Sequence, residues 1–145
     1  MKIVLQRVSG SSVKVEGETV GQIQRGYLIL LGIAADDTRE KADRMIEKIH
    51  KLRLFPDGDG KTNLSISDVA GEVLVISQFT LYADCRKGTR PGFTQAAPPA
   101  LAEELYDYFV EKARPYFAKV ACGRFGASMQ VELINDGPFT ILLEE

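Results

Sequence analysis

Gly26-Tyr27-Leu28-Ile29-Leu30-Leu31-Gly32-Ile33 is the stretch on which the fold turns. It opens on a glycine, runs through five apolar residues, and resumes with Ile33 after a second glycine. The run is far too short to cross a membrane and lacks the polar alternation of a half-wetted strand. It reads as a strand buried on both faces, which requires neighbours above and below it.

Upstream, residues 2–8 and 12–16 read as strand, with Val13 and Val15 alternating against Lys14 and Glu16. Gly17 turns the chain into a third segment, Thr19 to Ile23, so the start is a β-hairpin. Downstream the period changes. Ala42, Met45, Ile46, Ile49 and Leu52 recur at helical spacing among charged residues. Asp37 with Glu40 forms a capping-box pattern, and Pro56 stops the helix. Asp57-Gly58-Asp59-Gly60 is a loop, and it lacks the glutamate that a calcium loop needs twelve positions on. Strand character returns over Glu72 to Leu81. Residues 84–97 are a long irregular loop, a length usually either functional or mobile. Pro98-Pro99 opens a second helix with Leu101, Leu105, Tyr108, Phe109 and Lys112/Ala113 as its stripe, ended by Pro115. Met129 to Leu133 and Phe139 to Leu143 are strands joined by a turn at Asn135-Asp136-Gly137-Pro138. The order βββα…β…αββ is not the regular alternation of a doubly wound fold. It predicts an α/β (α+β-like) domain over residues 1–145, with six or seven strands in mixed sheets and two long helices packed on one side.

With 145 residues the chain is long enough for one real core. Its reactive inventory is thin: one His, two Cys and no Trp. His50, Cys85 and Cys122 share no short ligand spacing, so no metal or other cofactor is expected. His50 sits at the flank of a helical stripe, a surface position, and a histidine-based triad is excluded without it. The unpatterned cysteines point to a reducing compartment, and Met1 to Arg7 is too short for a signal-peptide core, so a cytoplasmic protein is expected. A net charge of −2 argues against gripping nucleic acid over the whole surface. Two stretches are nonetheless acid-free and basic: Arg86, Lys87 and Arg90, then Lys112, Arg114, Lys119 and Arg124. Either could be a solvated loop or helix end, and either could meet a phosphate backbone.

Ser77-Gln78-Phe79-Thr80-Leu81 ends an apolar strand with two hydroxyls and an amide. Alternation puts Gln78 and Thr80 on one face, either as a ligand wall or as local satisfaction of backbone groups. Asn135-Asp136-Gly137-Pro138-Phe139-Thr140 reads by itself as a plain turn whose proline lacks an N–H. Together, Ser77-Gln78-Phe79-Thr80-Leu81 and Asn135-x-Gly137-Pro138-x-Thr140 resemble the two defining motifs of the D-aminoacyl-tRNA deacylases. Arg7, Arg86-Lys87-Gly88 with Arg90-Pro91, and Gly123-Arg124-Phe125-Gly126-Ala127 before Met129 strengthen the resemblance, which spans Met1 to about Leu143. Gly92 stands where a Ser is common in that family and Ser128 where an Asp is common, both beside the motifs.

The resemblance implies the family's fold and a homodimer with active sites at the interface. It implies a cis Gly137–Pro138 bond inserted into the partner's pocket, whose carbonyls hold the substrate α-amino group and leave no room for an L side chain. Ser77, Gln78, Phe79 and Thr80 would then meet the 3′-terminal adenosine and the ester carbonyl, with Gln78, Phe79 and Thr80 as the catalytic positions. Arg7, Phe125, Met129, Asn135 and Thr140 would support the substrate, and Arg86, Lys87 and Arg90 would contact RNA. Glycyl-tRNA(Ala) would be a second substrate. Thr80 has no base within its motif, so the expected chemistry is water attack helped by the ribose 2′-OH, with backbone N–H groups stabilising the oxyanion. Three competitors remain open: a non-catalytic nucleic-acid-binding module on the same scaffold, a thiol-dependent hydrolase using Cys85 or Cys122, and a dimeric small-metabolite binder.

Overall fold

The computed structural model describes residues Met1–Glu145. Its elements are β1 (Lys2–Val15), β2 (Glu18–Ile23), β3 (Gly26–Gly32), α1 (Arg39–Lys51), β4 (Arg53–Pro56), β5 (Thr62–Ser65), β6 (Glu72–Ser77), α2 (Pro99–Ala113), β7 (Lys119–Cys122) and β8 (Gln130–Glu144). Two short 3-10 turns cover Phe79–Tyr82 and Arg114–Tyr116. The main sheet runs β2-β1-β3-β6-β7, with β8 on the free side of β1. β1 is antiparallel to all its partners, whereas β3–β6 and β6–β7 are parallel.

β3 lies inside this mixed sheet, and its two faces are both covered. Tyr27, Ile29 and Leu31 join the larger core with Met45, Ile46 and Ile49 of α1 and Leu105, Tyr106 and Phe109 of α2. Leu28 points the other way, into a smaller cluster with Val8, Val13, Ile23, Leu74 and Ile76. Both helices therefore pack on one face, as the element order predicts. Truncating Ile29, which is fully buried, to Ala is expected to cost about 2–5 kcal/mol.

Several local details differ from the sequence expectations. The cap of α1 is Thr38, whose hydroxyl accepts the Lys41 N–H at 3.4 Å, rather than Asp37. Asp37 is buried, where it takes the Met1 ammonium at 2.6 Å, the Ala34 N–H at 2.7 Å and Lys41 at 3.2 Å. A carboxylate out of water needs an opposite charge more than another amide, so the next hydroxyl takes over the cap. On α2, Tyr106 and Val110 are buried in place of Tyr108 and Lys112. Tyr106 can be buried because its hydroxyl donates to the Val75 carbonyl at 2.9 Å. Tyr108 instead stays at the rim, donating to Asp43 at 2.8 Å.

Three short strands have no counterpart in the periodicity. α1 stops at Lys51, before Pro56, because Arg53–Pro56 pairs with Thr62–Ser65 as a separate hairpin. β7 adds a parallel edge to β6. The segment predicted as one strand over 72–81 breaks after Ser77 into a 3-10 turn. The turn predicted at 135–138 is instead a bulge within β8, which continues to pair with β1 on either side.

Candidate active site

β6 delivers the first part of the site. After Ser77 the Gln78 N–H still donates to the Leu31 carbonyl at 2.8 Å, and then the chain winds. The first bond of the 3-10 turn runs from the Leu81 N–H to the Gln78 carbonyl at 3.2 Å. The N–H groups of Phe79 and Thr80 precede it and have no partner within the turn. Winding also overturns the two-face alternation expected past Ser77. With three residues per turn, the Gln78 amide reaches round and donates to Thr80 Oγ1 at 2.5 Å. That amide nitrogen is a donor with no basic lone pair, so nothing there can take the hydroxyl proton.

These residues wall a cavity of about 570 Å³, the size of a small-ligand site. Ile76, Ser77, Gln78 and Phe79 form one side, and Phe93, Ala96 and Ala97 of the long loop form another. Phe125, Ala127, Met129 and Val131 face them. None of the lining residues is an acid, a base or a thiol. Phe79, 54% exposed, meets Phe93 edge to face with ring centroids 5.0 Å apart, giving the rim an aromatic pair. The loop over 84–97 is pinned at both ends. Asp84 bridges to Gly92, Ala34 bridges to Ala96, and the Ala97 N–H donates to Ile33 at 2.9 Å.

A second locus lies at the bulge of β8. Asn135 pairs with Val8 and Thr140 with Gln6, so residues 136–139 all stand opposite Arg7. The Gly137–Pro138 bond is cis and both residues are exposed. Polar side chains hold the corner from three directions. Asn135 Oδ1 accepts the Phe139 N–H at 2.7 Å, and Thr140 Oγ1 accepts from Gln6 at 3.2 Å. Arg7 donates to the Asp136 carbonyl at 2.7 Å and to the Leu54 carbonyl at 2.5 Å, with its guanidinium 4.6 Å over the Phe139 ring. Gly137 has no space for a side chain, because a Cβ there would lie 2.3 Å from the Phe139 nitrogen.

The sequence-predicted residues thus divide into two groups. Ser77, Gln78, Phe79, Phe125 and Met129 line the cavity, and Thr80 adjoins it through Gln78. Arg7, Asn135, Gly137, Pro138 and Thr140 do not line it and assemble at the bulge. Phe93 and the Leu54 carbonyl are additions. An aromatic between Gly92 and Thr94 in a polar loop is a signal for the first, whereas a backbone carbonyl leaves none in sequence.

The basic stretches are less free than they read. Arg86 grips Asp84 through two bonds of 2.8 and 2.6 Å, which holds the Asp84 carboxyl below its usual range. Lys87 and Arg90 are exposed and make no ion pair. In the second stretch Arg114 pairs with Glu111 at 3.0 Å and Lys119 donates to the Gln22 carbonyl at 2.7 Å. Cys85 is exposed, and burial pushes the half-buried Cys122 thiol up. His50 meets Tyr116 edge to face with ring centroids 5.4 Å apart and does not line the cavity.

Residues 4–144 match the family model described as D-Tyr-tRNA(Tyr) deacylase. A D-aminoacyl-tRNA deacylase of Clostridioides difficile (strain 630) is 56% identical over 144 residues, covering 99% of this chain and 97% of the relative. One of Thermosipho africanus (strain TCF52B) is 53% identical with the same coverage. Among solved structures, "c-Myc DNA Unwinding Element Binding Protein" superposes with a TM-score of 0.94 at 44% identity, over 100% of this chain and 99% of its own. A "probable eukaryotic D-amino acid tRNA deacylase" shares the fold, with a TM-score of 0.87 at 17% identity over 98% and 97% of the two chains. The motif pair, the cavity and these matches have one consistent reading: the chain belongs to the D-Tyr-tRNA(Tyr) deacylase family.

Proposed function

We propose that this chain hydrolyses the ester bond of D-aminoacyl-tRNA, releasing the D-amino acid and free tRNA in the cytoplasm. One observation carries the reading. A cavity with no acid or base in its lining, walled by Phe79 at a turn whose first two N–H groups have no partner within it, is accompanied by a firmly braced carbonyl corner. An aminoacyl ester is already activated, so its hydrolysis needs positioning and oxyanion stabilisation more than a strong side-chain base. The Phe79 and Thr80 N–H groups would stabilise the developing oxyanion, at about 10²–10³ per donor. Water attacks, helped by the neighbouring ribose 2′-OH, and Thr80 positions without acting as nucleophile.

The 3′-terminal adenosine occupies the apolar cavity against Ser77, Phe79, Phe125 and Met129. The carbonyls of Gly137 and Pro138 receive the substrate α-ammonium and reject an L side chain, while glycine passes, making glycyl-tRNA(Ala) a second substrate. Because the corner does not line its own chain's cavity, a second copy supplies it. Ile134 and Leu142 on β8, 68% and 75% exposed, are the apolar side chains such a homodimer would cover. Lys87 and Arg90 approach the RNA backbone, and Arg86 contributes less because Asp84 already neutralises it.

The test is deacylation of D-tyrosyl-tRNA beside L-tyrosyl-tRNA. Rapid loss of the first with the second intact is expected, and equal or absent hydrolysis of both overturns the proposal. A second reading, a nucleic-acid binder without hydrolysis, is favoured by the 44% identical structure named for a DNA unwinding element. It predicts salt-sensitive DNA binding alongside no ester hydrolysis.

A further inference from the structure

Two glycines bracket the segment that carries Phe125 to the cavity, for different reasons. Gly126 has φ +71°, in the left-handed region, and with the Ala127 N–H bonded to the Arg124 carbonyl at 3.2 Å it turns the chain back. Gly123 lies outside that region, so its backbone does not require glycine. Its N–H donates to the Val75 carbonyl at 3.1 Å, carrying the β6–β7 pairing past Cys122. What distinguishes Gly123 is the space it leaves. A Cβ there would lie 2.5 Å from Met129 Sδ and 3.1 Å from Ile76 Cδ1. The Met129 thioether occupies the place of the missing side chain, and both Met129 and Ile76 line the cavity.

We propose that Gly123 is a positioning residue that sets the bore of the cavity, seating the Met129 thioether against β7 and out of the space offered to substrate. The substrate part rests on the deacylase reading above. Non-bonded heavy atoms settle about 3.5–4.0 Å apart, so a methyl group at position 123 drives the sulfur back by about 1 Å. The backbone of Gly123 is tied to Val75, and Ile76 closes one flank. Methionine has three rotatable bonds, so the thioether swings and the backbone stays. The direction left to it is into the cavity.

Gly123→Ala is expected to raise KM for D-tyrosyl-tRNA about tenfold, the effect of one methylene in an apolar pocket, with kcat within about twofold. The Phe79 and Thr80 N–H groups are untouched, so the loss is in binding. Trimming the displaced side chain reverses it: Gly123→Ala/Met129→Ala has the KM of Met129→Ala alone. A general structural role would lower both constants and would not be rescued. A wild-type KM in Gly123→Ala overturns the proposal, as does a double variant no better than the single one. Should Gly123→Ala not fold, the double variant carries the test, since it lacks the sulfur that collides, and its failure to fold is also fatal. A crystal structure of Gly123→Ala separates this proposal from the functional one. If the wild-type protein leaves D-tyrosyl-tRNA intact, the deacylase reading falls. The seating of Met129 then stands on a sulfur displaced into the cavity over a fixed backbone, and falls on an unmoved sulfur.

Discussion

The two loci use their polar groups in opposite ways. At the β8 bulge, Arg7, Gln6, Asn135 and Thr140 spend their hydrogen bonds on one another and on main chain. At the end of β6, Ser77, Gln78 and Phe79 line a largely apolar hollow, and the Thr80 hydroxyl has only the Gln78 amide for company. The first is a template whose shape is fixed before anything binds. The second is an open hollow with few polar groups in its wall. On the proposed reading, selection by the fixed corner and turnover at the receptive pocket are separable tasks assigned to different strands.

The largest effect is expected from Arg7→Ala. It removes two charge-assisted bonds, to Asp136 and Leu54, and frees the corner. A misplacement of about 1 Å at such a site costs on the order of 10²-fold, so kcat/KM for D-tyrosyl-tRNA should fall that far while hydrolysis of the L form rises. Unchanged discrimination would break the template picture. Asn135→Ala loses the Phe139 clamp but leaves Arg7 in place, and a drop of about tenfold is expected in the same assay. On the RNA side, Lys87→Ala or Arg90→Ala should weaken tRNA binding and reduce the salt slope of log K by about one. Arg86→Ala should change that slope less, because its charge is already met by Asp84. A larger change for Arg86 would show that the pair opens on binding. The smallest effect is assigned to Thr80→Ala, which should retain hydrolysis within about threefold because the N–H donors are backbone. An inert Thr80→Ala that binds normally, with an acyl-enzyme trapped in the wild type, would make Thr80 the nucleophile.

Long, strongly patterned elements were readable from the residues. The apolar run from Gly26 needs two covered faces, and α1 shows its stripe at Ala42, Met45, Ile46 and Ile49. β4, β5 and β7 were not, because each has four residues, too few for a period to emerge. Asp37 reads as a cap until folding brings the Met1 ammonium to it from 36 positions away. The motif residues were readable only through resemblance, since neither strand end declares its chemistry alone. Their division between two loci depends on β1 pairing, which places Arg7 opposite 136–139, and no local pattern encodes that.

That pairing also sets an order of events in the making of the molecule. β1 is matched to β8 along most of its length, from Lys2 opposite Glu144 to Lys14 opposite Gln130. On a ribosome β1 emerges well before β8 and must wait for it. Arg7 gains its hold on Asp136, 129 positions away, only after that part of β8 has left the exit tunnel. Closing so long a loop is slow relative to local contacts, which places the step late in folding. The cavity walls from β6 and the 84–97 loop come earlier in the chain and can assemble first, whereas Val131 of the facing wall arrives with β8. The braced corner cannot form until β8 arrives, so a nascent chain holds the β6 side of its cavity before Arg7 has closed on the bulge.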